Sequence, residues 1–249
     1  GYISDELILA ENNMVYTYVM YLIGKKRFGI KDQKVLRKYI SRWYYMVSVS
    51  AYYSSSTEST VQSDLNELKT FNSEKDFLEF IDIKIGQVFT DDYFEITLPS
   101  RMNTSSTNSP AWKAYCAAQV LLETKALFST VSIGSLFGPG GSGKKKSVEK
   151  HHLFPKAFLT SQGYGTDVMR NQIANFEYIE WGDNNTISDK SPEVYWTEMI
   201  GNKTPEEIKQ IRTKHALPEN WEEMDYEQFL EERRSLMAKV IREGYDILL

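Results

Sequence analysis

The sequence predicts a mainly α-helical protein, a helical bundle that carries one small strand–strand–helix element and ends in a long helix. Three observations predict this fold. Apolar residues recur at helical spacing through the first half of the chain, two short extended segments follow at positions 148–154 and 176–179, and a long amphipathic pattern closes the chain. With 249 residues, of which 41% are hydrophobic and 13% aromatic, the chain can bury a substantial core.

Residues 1–133 are expected to form a helical domain. Helices are predicted from about Asp5 to Ile23 and from about Gln33 to Ala51, and the second helix has an apolar stripe that should face the core. The stripe consists of Leu36, Ile40, Trp43 and Val47. Serine-rich residues 53–59 interrupt the helical pattern.

Two further helices of this half have recognisable start signals. Ser73 precedes a helical pattern that begins at Phe77. Ser109-Pro110 combines an N-cap residue with a proline at the first helical position, and it opens a helix that is predicted to end near Phe128. The capping chemistry therefore predicts where these helices begin more sharply than where they end.

A glycine- and lysine-rich connector is expected in residues 134–147. Its run from Gly138 to Lys145 approaches the phosphate-binding pattern G-x-x-x-x-G-K-[S/T]. Lys145 stands where that pattern requires a hydroxyl residue, and a strand follows instead of a helix. We therefore interpret the segment as a hinge, in which glycines allow positive φ angles and the lysines stay in water.

The strand–strand–helix element is expected in residues 148–200. The first extended segment predicts a strand that Pro155 ends, and Phe176–Ile179 predicts the second strand. Gly182–Asn185 is predicted to turn the chain, and Ser191-Pro192 is a strong signal for the start of a helix.

The remaining residues, 201–249, are expected to form a helical segment that packs on the rest of the chain. Its main element is a long helix predicted from about Trp221 to Ile247, with apolar residues near one face.

Composition excludes several classes of protein. The net charge of −5 argues against binding nucleic acid through bulk electrostatics, although five lysines accompany one acid between Lys144 and Lys156. A single cysteine, Cys116, excludes an internal disulfide and a Cys-x-x-Cys zinc site, and it fits a reducing, cytoplasmic location. No apolar run is long enough to cross a bilayer, so no membrane association is expected. The absence of an initiator Met suggests a piece of a longer protein.

A pair of adjacent histidines, His151 and His152, is the most informative feature for chemistry, because it uses two of the three histidines of the chain. Two amide side chains follow at Asn175 and Asn184. A neutral imidazole can take a proton from water, whereas a second imidazole and an amide oxygen can hold a divalent cation. This set supplies the groups that hydrolysis of a phosphodiester requires.

The run His151-His152-Leu153-Phe154-Pro155 resembles the first strand of the HNH, or ββα-metal, nucleases. The resemblance implies that His152 is the general base, that His151 binds metal, and that Asn175 braces the loop that orients the base. It also implies that Asn184 binds metal from the start of a helix, with Asn185 as the alternative. Glu149 and Asp183 are weaker supporting candidates.

Nearly the full length of the chain is similar to the C-terminal half of GmrSD-like modification-dependent restriction proteins. Segments in all three parts of the chain carry this similarity. They are Tyr21–Lys25 with Arg42–Tyr44, Glu149–Leu159 with Asn175–Pro192, and His215–Trp221 with Met224–Tyr226 and Glu231–Arg234. The resemblance implies a nuclease that defends bacteria by cutting modified phage DNA, joined to an N-terminal nucleotide-hydrolysing domain whose motif is absent from these residues.

This resemblance sets the expected ligands and partners. Many HNH sites have an aspartate where this chain has His151. This difference leaves the identity of the metal ion open, and Mg²⁺ or Mn²⁺ is expected. One such site cuts one strand, so a nick is expected from a monomer, and a double-strand break would require a homodimer or repeated nicking. The lysines expected to contact DNA are Lys144, Lys145, Lys146, Lys150 and Lys156. The alternative interpretation is a DNA-binding or protein-docking module whose nuclease site is inactive or subordinate to the N-terminal domain.

Overall fold

The computed structural model describes residues 1–54, 56–138 and 148–249, without the side chains of Val148 and Glu149. In these residues α-helices surround a two-stranded antiparallel sheet. The helices are α1 (Glu11–Leu22), α2 (Gln33–Ser50), α3 (Thr57–Lys69), α4 (Glu74–Val88), α5 (Leu98–Arg101), α6 (Pro110–Leu121), α7 (Gly134–Phe137), α8 (Lys156–Ser161), α9 (Asp167–Arg170), α10 (Trp181–Ile187), α11 (Pro192–Ile200), α12 (Pro205–Lys214) and α13 (Tyr226–Asp246). The strands are β1 (Val148–His152) and β2 (Phe176–Glu180). The mainly helical fold with a two-stranded hairpin and a long last helix is confirmed.

The second predicted helix is present as α2, whereas the first begins later than expected. Asp32 caps α2 by accepting from two backbone N–H groups, and Ala51 ends it with a left-handed φ of 55°. Three residues of the predicted stripe are buried and Ile40 is partly buried. The start near Asp5 is wrong, because residues Asp5–Leu7 form a 3₁₀ turn and Ala10 is extended before α1 begins.

The predicted starts of α4 and α6 are confirmed, whereas the predicted end of α6 is wrong. Ser73 forms a capping box with Asp76 at the start of α4, and Ser109 accepts from the Trp112 N–H at the start of α6. Helix α6 ends at Leu121 instead of near Phe128. The chain then lies along the sheet, where the Leu127 N–H donates to the Tyr178 carbonyl at 2.7 Å. Pairing with β2 therefore competes with continuation of the helix.

The two predicted strands pair in a defined antiparallel register. His151 lies opposite Glu177, and His152 lies opposite Phe176. Strand β1 ends at His152, before the expected end at Phe154, and a short bend leads into α8 at Lys156.

A helix begins immediately after β2, so the predicted turn at Gly182–Asn185 is wrong. These residues lie in α10, which packs against both strands and buries Ile187. Gly, Asp and Asn are poor helix formers, which is why the local sequence predicts a turn. The helix predicted from Ser191-Pro192 is present as α11.

The last helix begins later than predicted and lies against the helical half. Residues Trp221–Glu223 form a 3₁₀ turn, and Asp225 then caps α13. Helix α13 packs on α6, where the Cα of Gly244 leaves no room for a side chain beside Ala118. No helix in the described part of the chain has the length and apolar character that a membrane span requires.

Glu177 of β2 is the centre of a buried polar cluster. Its carboxylate accepts hydrogen bonds from Tyr115 at 2.9 Å, Gln119 at 3.1 Å and Arg233 at 2.8 Å. His215 Nδ1 lies 3.4 Å from the same carboxylate. Arg233 is fully buried, and it also donates to backbone carbonyls at both ends of the Ala174–Phe176 segment. The cluster therefore ties β2 to α6 and α13.

We expect Arg233→Met to destabilise the protein by about 3–5 kcal/mol, because the buried Glu177 carboxylate would lose its main cationic partner. The free energy of unfolding, from urea titrations, measures this. The matched control is the double variant Arg233→Met with Glu177→Gln, which should recover a large part of the loss. A single variant as stable as the wild type would show that the pair does not hold the sheet in place.

The same carboxylate should make stability depend on pH. Burial alone would raise the pKa of Glu177, but His215, Arg233 and the Tyr178 backbone N–H lower this pKa from 4.5 to about 2. Its contribution is therefore complete above the ordinary pKa and is lost as the pH falls from about 4.5 towards 2. We expect a loss of roughly 2 kcal/mol between pH 6 and pH 3, measured as the urea midpoint. An equal loss in Glu177→Gln would assign the pH dependence to other groups.

Candidate active site

The two adjacent histidines lie on opposite faces of β1. Neighbouring residues of a strand point to opposite sides of the sheet. The His151 ring is buried and meets the Tyr195 ring edge-on, with centroids 6.0 Å apart. The His152 ring is half-buried and packs on Phe176 at 4.6 Å. Each imidazole therefore has its own surroundings, and each can be assigned a separate role.

His151 forms a short contact with Asn184 of α10. Its Nδ1 lies 2.7 Å from Asn184 Oδ1, and an amide oxygen only accepts, so Nδ1 carries the proton. Nε2 then holds the lone pair, and it is buried without a hydrogen-bond partner among the described residues. Burial lowers the pKa of His151 to about 4. The ring is therefore neutral at pH 7, as a metal ligand must be.

The donor set of His151 and Asn184 fits a divalent cation. Two neighbouring ligands of an octahedral ion lie about 3 Å apart when each is about 2.1 Å from the ion, which is close to the 2.7 Å between these two atoms. To bind such an ion through Nδ1, the neutral ring would have to carry its proton on Nε2 instead of Nδ1. Within the described residues no three His, Cys, Asp or Glu side chains converge as a metal site.

The supporting candidates around this pair differ in position. Asp183 is half-buried, and burial together with the charge of Glu180 raises its pKa. Asn185 is exposed, whereas its neighbour Asn184 is the residue that meets His151. The side chain of Glu149 lies outside the described part of the chain.

His152 is held by an asparagine that the sequence analysis missed. Its Nε2 donates to Asn171 Oδ1 at 2.9 Å, so Nδ1 carries the lone pair. No described residue forms a hydrogen bond with that Nδ1. Burial lowers the pKa of His152, which keeps the ring neutral at pH 7. The arrangement is that of an oriented base, with Asn171 as its positioning residue. Asn171 lies in the loop between the strands, and no spacing rule distinguishes it there.

Both the oxygen and the nitrogen of the Asn175 side-chain amide form hydrogen bonds with the backbone. It is fully buried, its Oδ1 accepts from the Phe154 N–H at 2.8 Å, and its Nδ2 donates to the carbonyls of Phe154 and Arg170. Tyr226 of α13 donates to the same Arg170 carbonyl at 3.2 Å. Asn175 therefore braces the two ends of the loop that carries Asn171 and does not itself point at a substrate, so its contribution to catalysis stays a prediction about positioning.

The predicted DNA-contacting lysines fall into two groups. Lys150 is exposed on β1 and lies 3.4 Å from the Thr107 hydroxyl, and Lys156 at the start of α8 pairs with Asp167 at 3.4 Å. The other three, Lys144, Lys145 and Lys146, lie outside the described residues.

Comparison with known proteins gives one distant relative. The chain is 26% identical over 161 residues to the uncharacterized protein MJ0686 of Methanocaldococcus jannaschii. The aligned region covers 65% of this chain and 25% of that protein, so the chain spans about a quarter of its relative's length. No protein-family model matches the chain, and no solved structure matches it. The chemistry of the site therefore has to carry the functional argument.

We expect the two histidines to hold opposite tautomers at pH 7 without metal, with the proton on Nδ1 of His151 and on Nε2 of His152. Two-bond ¹H–¹⁵N correlation spectra of the imidazoles measure this directly. Asn184→Ala should change the His151 pattern and leave His152 as it is, and Asn171→Ala serves as the reciprocal control. Each variant loses the hydrogen bond to its histidine, about 1 kcal/mol, and both side chains are only partly buried, so both variants should stay folded. The same tautomer in both rings would contradict the assignment.

Proposed function

We propose that this chain is a metal-dependent DNA endonuclease domain of the HNH type, belonging to a GmrSD-like bacterial restriction protein that acts on modified phage DNA in the cytoplasm. One observation carries the proposal. At the end of β1, His152 is fixed by Asn171 with its Nδ1 lone pair available, while the adjacent His151 meets Asn184 on the helix that follows β2. A base and a cation-binding pair thus lie on one strand–strand–helix unit but on opposite faces of β1, so the proposal requires one phosphate to reach both around the end of the strand at His152.

The residues divide the work of hydrolysis between them. His152 Nδ1 accepts a proton from water as the water oxygen bonds to phosphorus, a role that contributes typically ~10²–10⁴ in rate. The bond from phosphorus to the 3′ oxygen breaks, and that oxygen takes a proton from solvent. A divalent cation, Mg²⁺ or Mn²⁺, held by His151 and Asn184 supplies positive charge at the phosphate and at the leaving oxygen when bound. Asn171 keeps the proton of His152 on Nε2, away from the water.

In this proposal, DNA is bound by a few basic residues near the site and not by the overall charge of the chain. The chain has a net charge of −5, so phosphate contacts have to come from a basic patch around the site. Lys150 lies next to His151 on β1, and Lys156 follows the bend after it. Choice of the modified DNA is assigned to the helical half and to the N-terminal nucleotide-hydrolysing domain, and double-strand breaks would require a homodimer or repeated nicking.

The test is nicking of supercoiled plasmid by the purified chain. We expect open-circular product with Mg²⁺ or Mn²⁺, and none with chelator. His152→Ala should lower the rate by about 10²–10⁴, and Asn184→Ala should raise the metal concentration needed for half-maximal rate. The matched control is Asn185→Ala, which alters the exposed neighbour of Asn184 and should cut like the wild type.

Three outcomes separate the interpretations. Metal-dependent nicking that survives His152→Ala in folded protein contradicts the base assignment. Equal effects of the Asn184 and Asn185 variants contradict the cation-binding pair. DNA binding by the wild type without cleavage favours the alternative, a binding or docking module subordinate to another domain.

A further inference from the structure

Trp181 differs from the other tryptophans of the chain. The chain has five tryptophans. Trp43, Trp112, Trp196 and Trp221 are at most 2% exposed, whereas Trp181 is 55% exposed. Trp181 does not belong to the hydrophobic core or to the side chains packed against it in the described residues. An indole left in water forgoes the large gain that its burial would bring, so this position requires an explanation outside the packing of the fold.

The position of Trp181 relates it to the candidate active site. It is the first residue of α10, and Asn184 follows three residues later on the same helix. Residues three apart lie on one face of a helix. Asn184 meets His151 at 2.7 Å. The exposed indole therefore lies one helical turn from the pair that would hold the cation.

The surroundings of the ring favour a nucleobase over a protein surface. Asn185, exposed on α10 and four residues after Trp181, offers an amide group on the same face of the helix. Glu180 and Asp183 flank it in sequence, so an apolar protein surface would have to remove water from both carboxylates, and a bound DNA strand has to keep its phosphates away from them. A base has a flat aromatic face that stacks on an indole and polar edges that tolerate these neighbours.

We propose that Trp181 is the stacking platform for a base of the DNA strand that enters this site. The proposal rests on the proposed function, and it adds a class of substrate. An indole can cover only a base whose face is open, so the site should prefer unpaired, end-located or extruded bases to those inside an intact duplex. Single-stranded or locally opened DNA is therefore the expected ligand.

The experiment uses tryptophan fluorescence in the whole chain, in chelator so that no cleavage occurs. Because the other four indoles are buried, acrylamide quenching reports mainly on Trp181. A fluorescein-labelled single-stranded oligonucleotide measures affinity by anisotropy, and an unlabelled copy measures quenching. We expect DNA to quench the part of the fluorescence that comes from Trp181, which is absent from the Trp181→Phe variant. DNA should also protect Trp181 from quenching by acrylamide.

The affinities of the variants for the oligonucleotide show whether the indole stacks on a base or is merely exposed. Trp181→Ala should weaken binding of the single strand by about 5- to 150-fold, whereas Trp181→Phe keeps an aromatic face and should stay within about 5-fold of the wild type. The matched control is Val194→Ala, which removes another exposed apolar residue, 47% exposed on α11, and should bind like the wild type. A duplex of the same sequence should show a much smaller effect of Trp181→Ala.

The outcomes distinguish this inference from the proposed function. Quenching of Trp181 by DNA, in a chain that with Mg²⁺ or Mn²⁺ cuts neither the plasmid nor the single-stranded oligonucleotide, supports the stacking platform and contradicts the nuclease. Plasmid nicking together with Trp181→Ala binding at wild-type strength overturns the platform alone. Binding of the single strand without a Trp181 signal overturns it as well, and so does the absence of any DNA binding.

Discussion

The buried pairing of Glu177 with Arg233 is the constraint on which the position of the site depends. A sheet of two strands is marginal without support. Arg233 supplies that support by donating to the carboxylate and to backbone carbonyls just before and within β2. Tyr115 of α6 holds the same carboxylate from the other side. Because Glu177 lies opposite His151 in the register, the ion pair that anchors β2 also determines where the histidines meet the following helix.

Amide partners, instead of carboxylates, define the chemistry of the two histidines. A carboxylate beside an imidazole raises its pKa and favours the charged form. His151 and His152 are held by Asn184 and Asn171, which fix a tautomer without adding a negative charge. Burial then lowers both pKa values. Two neutral rings on opposite faces of one strand can serve as a ligand and as a base at pH 7.

Local signals predicted the parts of the fold that local chemistry determines. The caps at Ser73 and Ser109 and the two strands follow from residue type and spacing alone. Helix α12 also had such a signal, the Thr204 and Glu207 capping box, which the sequence analysis did not use. The contact of Asn171 with His152 had none, and the residue types of α10 favoured a turn, although the nuclease resemblance implied a helix start at Asn184. Their geometry is set by residues distant in sequence, so no reading of neighbouring residues could have found them.

Helix α10 is the element in which these constraints combine. Its seven residues are far fewer than an isolated helix needs, and four of the first five, at positions 182–185, are Gly, Asp or Asn. Buried Ile187 and the contact of Asn184 with His151 therefore supply the order that propensity does not. Trp181 belongs to the same short helix, so its orientation depends on the same two contacts. A cation shared by His151 and Asn184 would link the strand to the helix more firmly than the hydrogen bond it replaces, and the exposed indole would become better ordered when the site is loaded for chemistry.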